Sequence, residues 1–342
     1  MPTMSDIAKR AGVALSTVSY TLSGKRPISE EAKQRVYQAM KELGYQPNSL
    51  ARALATKRTS ILALLYPAWK AGTGLGPQSE FITSIAEAST DNGYGLLLWT
   101  APVSEEQDVM EMTHQGFIDG AILMEVALDD ARVEALQQQM VPFTLIGRCA
   151  DNAGLNFVDL DFDYALETSI NYLVEGGHRH IALINQSEML LKRKVGYVVR
   201  SREAFHRELQ RHGLQGVDMC CEANEQAGYE ATMALLQQQP DLSAFILMTP
   251  WTSGGIIRAL SDKGLHIPRD FSLVAIFSPH LAEMTTPALT SVDFPFHEMG
   301  RLGTQMLIQK LAGNTVEPSQ ILLKPPLTIR ASSGPQSKAS RF

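Results

Sequence analysis

The sequence predicts two architectures in series: a small all-α head of helix-turn-helix type, then an α/β two-lobed body with doubly wound parallel sheets. Three observations carry this prediction. The opening residues space their apolar side chains at helical intervals around glycine bends. From Ile61 onward, short apolar runs alternate with amphipathic helices. Charge divides at the same place. Residues 1–58 hold ten Lys and Arg against four Asp and Glu, a net of +6 in a chain of 342 residues whose total is −6, so the remainder carries −12.

In the head, Ile7, Ala8 and Ala11, then Val13, then Val18 and Leu22, fit two short helices whose inner faces meet across a bend at Gly12. The second, Leu15 to Leu22, leaves Ser16, Thr17, Ser19 and Tyr20 outside the apolar set. Small hydrogen-bonding groups and one aromatic therefore project from its front, side chains suited to base edges. Ser29 caps a third helix, with Glu30 and Glu31 in the first turn where the helix dipole favours carboxylates. Val36, Met40 and Leu43 give it an inner stripe, and Gly44 stops it. Residues before Met4 are expected to add little. A purely structural three-helix bundle would show the same spacing. Charge favours the DNA-reading alternative, because a cationic segment on an acidic chain is what phosphate binding requires.

Asp6-Ile7-Ala8, Ala11-Gly12-Val13, Ser16-Thr17-Val18-Ser19, Gly44-Tyr45, Pro47-Asn48 and Ala53-Leu54-Ala55 closely resemble, without a gap, the head and hinge of the lac and gal repressor family of bacterial transcription regulators. The resemblance implies a homodimer that docks the second helix of each head in the major groove of a pseudo-palindromic operator. It also implies that the segment after Pro47 folds into a hinge helix on DNA and wedges a leucine into the minor groove. The residues expected at DNA are Ser5, Leu15, Ser16, Thr17, Ser19, Tyr20, Lys25, Arg26, Ser29, Tyr45, Asn48, Ala51 and Leu54.

Physical chemistry supports the hinge independently. Ser49 to Ala55 is too short for a stable isolated helix, so it can fold upon docking. Leu50 and Leu54 would then be exposed apolar residues unless a partner helix and a base step bury them. The alternative is that Leu54 simply begins the core of the next domain. One position departs from the family: an arginine commonly follows the Val-Ser pair to read guanine, and here Tyr20 stands there. Tyrosine cannot make the bidentate arginine contact, so the outer operator positions are expected to differ from the usual half-site.

In the body, the expected strands are Ile61 to Tyr66, Gly95 to Trp99, Ala121 to Met124, Phe143 to Ile146, Ile181 to Ile184, Ala244 to Met248 and Ser272 to Ile276. Helices are expected around Phe81, Ile85 and Ala88, over Glu105 to Gln115, Asp130 to Met140 and Ala165 to Glu175, near Arg202 to His212 and Gly228 to Gln238, and over Ser253 to Lys263. Alternation of this kind implies parallel sheets covered on both faces. Gly177-His178-Arg179-His180-Ile181-Ala182 and Pro287-Ala288-Leu289-Thr290-Ser291-Val292 continue the resemblance. It implies a periplasmic-binding-protein-like fold whose chain crosses between lobes near Leu160 to Phe162, near Asp293 to Pro295 and near Leu323.

The expected domains are therefore a head over 1–47, a hinge and linker over 48–58, and an effector-binding and dimerisation body over 59–330. Lobe 1 takes about 59–160 and 294–322, and lobe 2 about 161–293 and 323–330. The Ser-rich stretch 331–342 reads as a disordered tail, and its lack of a leucine heptad favours a dimer over a tetramer.

Ligands of open α/β sheets bind beyond the carboxyl ends of the strands. That rule selects Pro67 to Trp69, Gly147 and Arg148, Thr249 to Trp251, Phe277 to Pro279, and the crossover at Asp293 and Phe294. The family holds sugar hydroxyls there with an arginine, an Asn-Asp pair and an aspartate. This chain has Thr249 and Pro250 in place of the pair and Phe277 in place of the aspartate, and the arginine falls on Ser201 or, with a one-residue insertion, on Arg200. The expected effector-binding residues are Trp69, Arg148, Arg200, Thr249, Trp251, Phe277 and Phe294, an aromatic lining that suits an extended oligosaccharide.

Enzyme classes find little support: neither a Gly-rich phosphate loop nor a Gly-x-Ser-x-Gly elbow is present. His178 and His180 share a strand face but lack a third ligand at metal spacing, and Asp159, Asp161 and Asp163 read as a polar crossover loop. No cofactor is implied. Cys149, Cys220 and Cys221 form no ligand set and suit a reducing compartment. No apolar run approaches the length of a membrane span, so the expected setting is the cytoplasm and the expected partners are operator DNA, a small effector and a second copy of the chain.

Overall fold

The computed structural model describes residues 2–23, 26–45, 58–66, 76–99, 117–314 and 318–336. The chain divides into two compact units, Met1–Ile61 with Glu111–Asp119, and Leu62–Met110 with Gly120–Phe342.

The first unit contains the three predicted helices, α1 (Met4–Ala11), α2 (Leu15–Ser23) and α3 (Glu30–Leu43). Ile7, Ala8, Ala11, Val18, Val36 and Ala39 make its core, with Val13, Leu22, Met40 and Leu43 packed around it. Gly12 and Gly44 both end their helices at positive φ, 64° and 63°, the left-handed conformation that glycine adopts without strain. Contrary to expectation, the residues before Met4 matter. Thr3 and Asp6 form a reciprocal capping box, with Asp6 Oδ2 accepting from the Thr3 amide at 2.8 Å. The Thr3 hydroxyl, which donates to the same oxygen at 2.7 Å, and then the Thr3 amide hold the Asp6 carboxyl below the usual carboxylate range.

The second unit is built on two six-stranded sheets. The strands are β1 (Ile61–Leu65), β2 (Gly95–Trp99), β3 (Gly120–Leu123), β4 (Phe143–Ile146), β5 (Phe157–Leu160), β6 (Ile181–Asn185), β7 (Val217–Cys220), β8 (Ala244–Leu247), β9 (Ser272–Phe277), β10 (Thr290–Asp293), β11 (Gln320–Leu323) and β12 (Leu327–Thr328). Lobe 1 has the order β11-β5-β4-β3-β1-β2 and lobe 2 the order β12-β10-β9-β8-β6-β7. β1, β3, β4, β5 and β11 run parallel, as do β7, β6, β8, β9 and β10, while β12 is antiparallel to β10. Strands such as β3, β4, β6, β8 and β9 are buried along their whole length, as sheets covered on both faces require.

The helices are α4 (Gly76–Asp91), α5 (Ala131–Gln138), α6 (Phe162–Glu175), α7 (Glu188–Lys192), α8 (Gly196–Arg211), α9 (Glu225–Gln238), α10 (Ser253–Asp262), α11 (Pro279–Glu283) and α12 (Phe296–Leu311). The expected helix Glu105 to Gln115 lies outside the described residues. Three helices begin earlier than their apolar periodicity indicates. Asp161 caps α6 by accepting from the Tyr164 amide, and Asn224 caps α9 by accepting from the Ala227 amide. The first amide of α8 instead donates to Val126 in the other lobe, a partner that no local pattern announces.

α12 escaped the sequence reading, although it buries Phe296, Met299, Met306 and Leu307 against lobe 1. It packs closely on α4, where a Cβ on Gly300 would lie 2.9 Å from Ser84 Oγ. The chain crosses between lobes after β5, after β10 and after β11, at the three expected places.

The expected disordered tail is corrected over 331–336. Ser332 is fully buried; its hydroxyl donates to the Leu273 carbonyl at 2.6 Å and accepts from the Thr290 amide at 2.8 Å. Gly334 O is hydrogen-bonded to His178 Nε2 at 3.1 Å, and the Gln336 amide donates to Gly176 O. The segment is a strap that satisfies polar groups at the lobe-2 sheet edge. Residues 337–342 lie outside the described residues. Because Ser332→Ala leaves a buried amide and a buried carbonyl without their partner, it should cost about 1–3 kcal/mol in urea denaturation, whereas a disordered serine would cost nothing.

Candidate functional site

Two surfaces concern function: the front of α2 in the head, and the edges of the two sheets where their carboxyl ends converge. On the head, Ser5, Leu15, Ser16, Arg26 and Ser29 are exposed, and Thr17, Ser19 and Tyr20 are half-buried. Leu15 is 53% exposed. Ser29 also caps α3 by accepting from the Ala32 amide, and Tyr45 packs half-buried against the head core, so both carry structural work. The Arg26 guanidinium lies over the Tyr20 ring, 5.3 Å from its centroid, within the range of a cation–π contact. Tyr20 thus holds a guanidinium beside α2. Lys25, Asn48, Ala51 and Leu54 lie outside the described residues.

In the body, the chain ends of lobe 1 are gathered by one buried ion pair that the sequence reading missed. Arg132 lies on α5 and bonds Asp130 twice, through Nε at 2.9 Å and Nη2 at 2.7 Å. The same guanidinium donates to the carbonyls of Met124 and Glu125, at 3.0 and 3.2 Å, just beyond β3. Asp130 Oδ2, the oxygen that accepts from Nη2, also accepts from the Ala127 amide at 3.0 Å. These bonds fix Glu125, which stands at a positive φ of 51°. Opposing burial, hydrogen bonds and charge from Arg132 hold the Asp130 carboxyl below its ordinary range.

Arg148 and Arg200, both expected, come together here. Arg148 follows β4 and bonds Asp159 at 3.2 Å, at the end of β5. Arg200 reaches from α8 of lobe 2 and donates to the lobe-1 carbonyls of Arg148 and Cys149, at 3.0 and 2.7 Å. Ser201, the alternative position, is buried and donates to Tyr197 O within α8. Burial pushes Asp159 up to about 6 against the opposing pull of Arg148 and Arg200, and burial lowers Arg200. Tyr66 and Tyr197 also sit near this junction; burial, then the negative charge of Glu125, raises both phenols. Only their position after a strand and at a helix start could have flagged them.

The aromatic lining is corrected at several positions. Phe277 is 1% exposed and belongs to the lobe-2 core with Ile184, Phe245 and Leu289, where no ligand reaches it. Phe294 stacks on Phe296 at 4.3 Å and meets Phe81 and Phe162 edge-on or tilted, so it joins the cores of the two lobes. Asp293 turns away toward Ser291, Thr328 and Arg330, and Thr249 is buried. Trp251 is 38% exposed, but it opens onto a depression of about 640 Å³ lined by lobe-2 residues, among them Asn224, Glu225, Ser253 and Met284. Trp69 lies outside the described residues.

The other polar groups have structural partners. His178 and His180 precede β6 rather than sharing a strand face, and His178 is buried against Ser243 Oγ at 2.9 Å. Asp161 caps α6 and pairs with Lys324, and Asp163 pairs with Arg207. Among the described residues no cluster of three or more His, Cys, Asp or Glu could hold a metal, and no helix is long and apolar enough to cross a membrane. Burial pushes the Cys149 thiol up to about 11 and the Cys221 thiol up to about 12.

A helix-turn-helix head followed by two parallel-sheet lobes that meet at their carboxyl edges defines a DNA-binding transcription regulator with an effector-binding body. Comparison with known proteins agrees. Residues 3–48 match the bacterial regulatory proteins of the lacI family, and residues 170–333 match the periplasmic binding protein-like domain. The HTH-type transcriptional repressor PurR of Erwinia tasmaniensis is 29% identical over 341 residues, 97% of each chain. A structure of the transcriptional regulator CelR in complex with cellobiose is 25% identical, with a TM-score of 0.71 over 97% of this chain and all of that one. The lac repressor dimer bound to operator and an anti-inducer shares the fold, with a TM-score of 0.84 at 22% identity over 97% of this chain and 99% of that one. The chain thus carries a head of the lacI type and a periplasmic binding protein-like body.

The raised Asp159 carboxyl has a pH signature. The folded chain binds this proton more tightly than the unfolded chain, so the group adds stability at low pH that is lost as pH rises through about 6. Wild type should therefore lose on the order of 1 kcal/mol relative to Asp159→Asn between pH 5 and 7, read from urea denaturation at both values. Parallel pH profiles for the two proteins would refute the assignment.

Proposed function

We propose that the protein is a cytoplasmic homodimeric repressor without catalytic activity, which binds a pseudo-palindromic operator and is controlled by a sugar or oligosaccharide held between its lobes. The observation that carries this reading is the meeting of Arg148, Asp159 and Arg200 across the lobe junction, charged hydrogen-bonding groups of the kind that hold hydroxyls. The fold it shares with a regulator bound to cellobiose supports a sugar. Effector binding changes the angle between the lobes, which moves the two hinge segments and shifts their helix–coil balance. A ligand achieves this only through different affinities for the two lobe arrangements.

On DNA, the α2 front of each head reads the major groove through Ser16, Thr17, Ser19 and Tyr20, with Arg26 held beside it. Arg10, Lys25 and Arg26 neutralise phosphates, and Leu54 wedges into the minor groove. A second reading, a non-sugar effector, is favoured by Thr249 and Pro250 standing in place of polar anchors and by Phe277 lying in the core.

Isothermal titration with glucosides, galactosides and cello- or maltooligosaccharides separates the two effector readings. Heat from a saccharide supports the first, and heat from a purine or an organic acid alone overturns it. Leu54→Ala should weaken operator binding far more than nonspecific binding in filter or fluorescence assays, whereas equal losses would remove the wedge. Log operator affinity should also fall linearly with log salt, by about 0.9 per phosphate neutralised, and a flat response would contradict the cationic head.

A further inference from the structure

We infer that the lobes carry a built-in latch, formed by Val126 to Leu128 of lobe 1 and Lys194 to Gly196 of lobe 2, which joins them on one side through the chain's own backbone groups. The two segments pair as an antiparallel bridge between Ala127 and Val195. The Leu128 amide donates to Lys194 O and the Gly196 amide to Val126 O, both at 2.8 Å. These are the only amide–carbonyl bonds that two such short segments can exchange around a bridge of this kind, and both are made.

Each side of the latch is shaped in advance. On lobe 1, the Asp130–Arg132 pair holds the Ala127 amide and the Glu125 carbonyl, so the strand-like stretch needs no ligand to form. On lobe 2, Lys194 adopts a positive φ of 54° that turns the chain into the bridge. Gly196 then permits an approach no other residue tolerates: a Cβ there would fall 2.3 Å from Arg200 Nη1, 2.9 Å from Arg148 O and 3.2 Å from Val126 O. Arg200 extends the contact by donating to the Arg148 and Cys149 carbonyls, and Ser278 adds a separate hydrogen bond to Glu80 of α4, at 2.6 Å.

Backbone groups supply most of this contact, so it does not depend on effector chemistry and stands whether or not the effector is a sugar. An effector entering the junction meets lobes already joined at one edge. It acts by reshaping or breaking the latch, rather than by drawing together two lobes that are otherwise apart.

The test is a cysteine pair at the bridge. Ala127 and Val195 face each other as a non-hydrogen-bonded antiparallel pair, for which Cα atoms lie about 4.5 Å apart, within disulfide range. The purified full-length Ala127→Cys/Val195→Cys protein is oxidised without any added ligand, denatured, and titrated for thiols, with peptide mapping to exclude bonds to Cys149. We expect the two introduced thiols to be lost and only the three native ones to titrate. Adding Gly196→Ala to the same chain should slow crosslinking about tenfold, the scale of one or two lost hydrogen bonds. Two introduced thiols that stay reduced in the folded protein, or that oxidise only when an effector is present, would overturn the latch. Crosslinking unaffected by Gly196→Ala would also overturn it. None of these readouts involves DNA, so the latch can fail while the regulator reading stands.

Discussion

A sheet of parallel strands sends all its carboxyl ends to one edge, and those ends cannot complete their own hydrogen bonding there. The body of this protein is organised by how that edge is satisfied. In lobe 1, Arg132 gathers the carbonyls beyond β3, and Asp130 neutralises it within the same buried site. In lobe 2, the first amide of α8 finds its acceptor on Val126, and Arg200 supplies donors to the loop after β4. Each lobe therefore finishes its edge partly with groups from the other. A buried charge left without its partner would cost several kcal/mol, which makes Asp130 and Arg132 a pair that must be kept or lost together.

The fold was largely readable in the residues, because its determinants are local. Ile7, Ala8 and Ala11 repeat at helical spacing, Gly12 and Gly44 mark the ends of helices, and short runs such as Phe143 to Ile146 signal strands buried on both faces. What was missed has distant causes. The start of α8 is set by a carbonyl in the other lobe. α12 follows a crossover directly, and its glycines at 300 and 303, which read as weak helix formers, are there for close packing on Ser84 and Ile146. The strap at 331–336 is serine-rich and looks unstructured until its hydroxyls are seen to complete the edge of β9 and β10.

The site was less legible than the fold for the same reason. Arg148 and Arg200 stand out in the sequence as charged groups near strand ends, whereas the alternating Asp159, Asp161 and Asp163 look like a polar loop and hide the Asp159 partnership with Arg148. Phe277 and Phe294 carried the right residue type for a lining and the wrong surroundings: one fills the lobe-2 core, the other the seam between the lobes. Strand-end position narrows the choice of residues. It does not say which way a side chain turns, since a residue at the last position of a strand alternates between core and edge with a shift of one.

The three crossings also govern how the body can be made. Lobe 1 draws α12 and β11 from the last quarter of the chain, and lobe 2 takes β12 from beyond that. Neither lobe is a continuous stretch of sequence, so a ribosome releasing this chain presents β1 to β5 long before the helix and strand that cover and flank them. The apolar face awaiting α12, lined by Phe81, Ile146 and Val158, stays uncovered until nearly the whole protein has emerged. Synthesis, rather than the finished structure, is where this architecture is most exposed to aggregation, and the two lobes reach completion almost together.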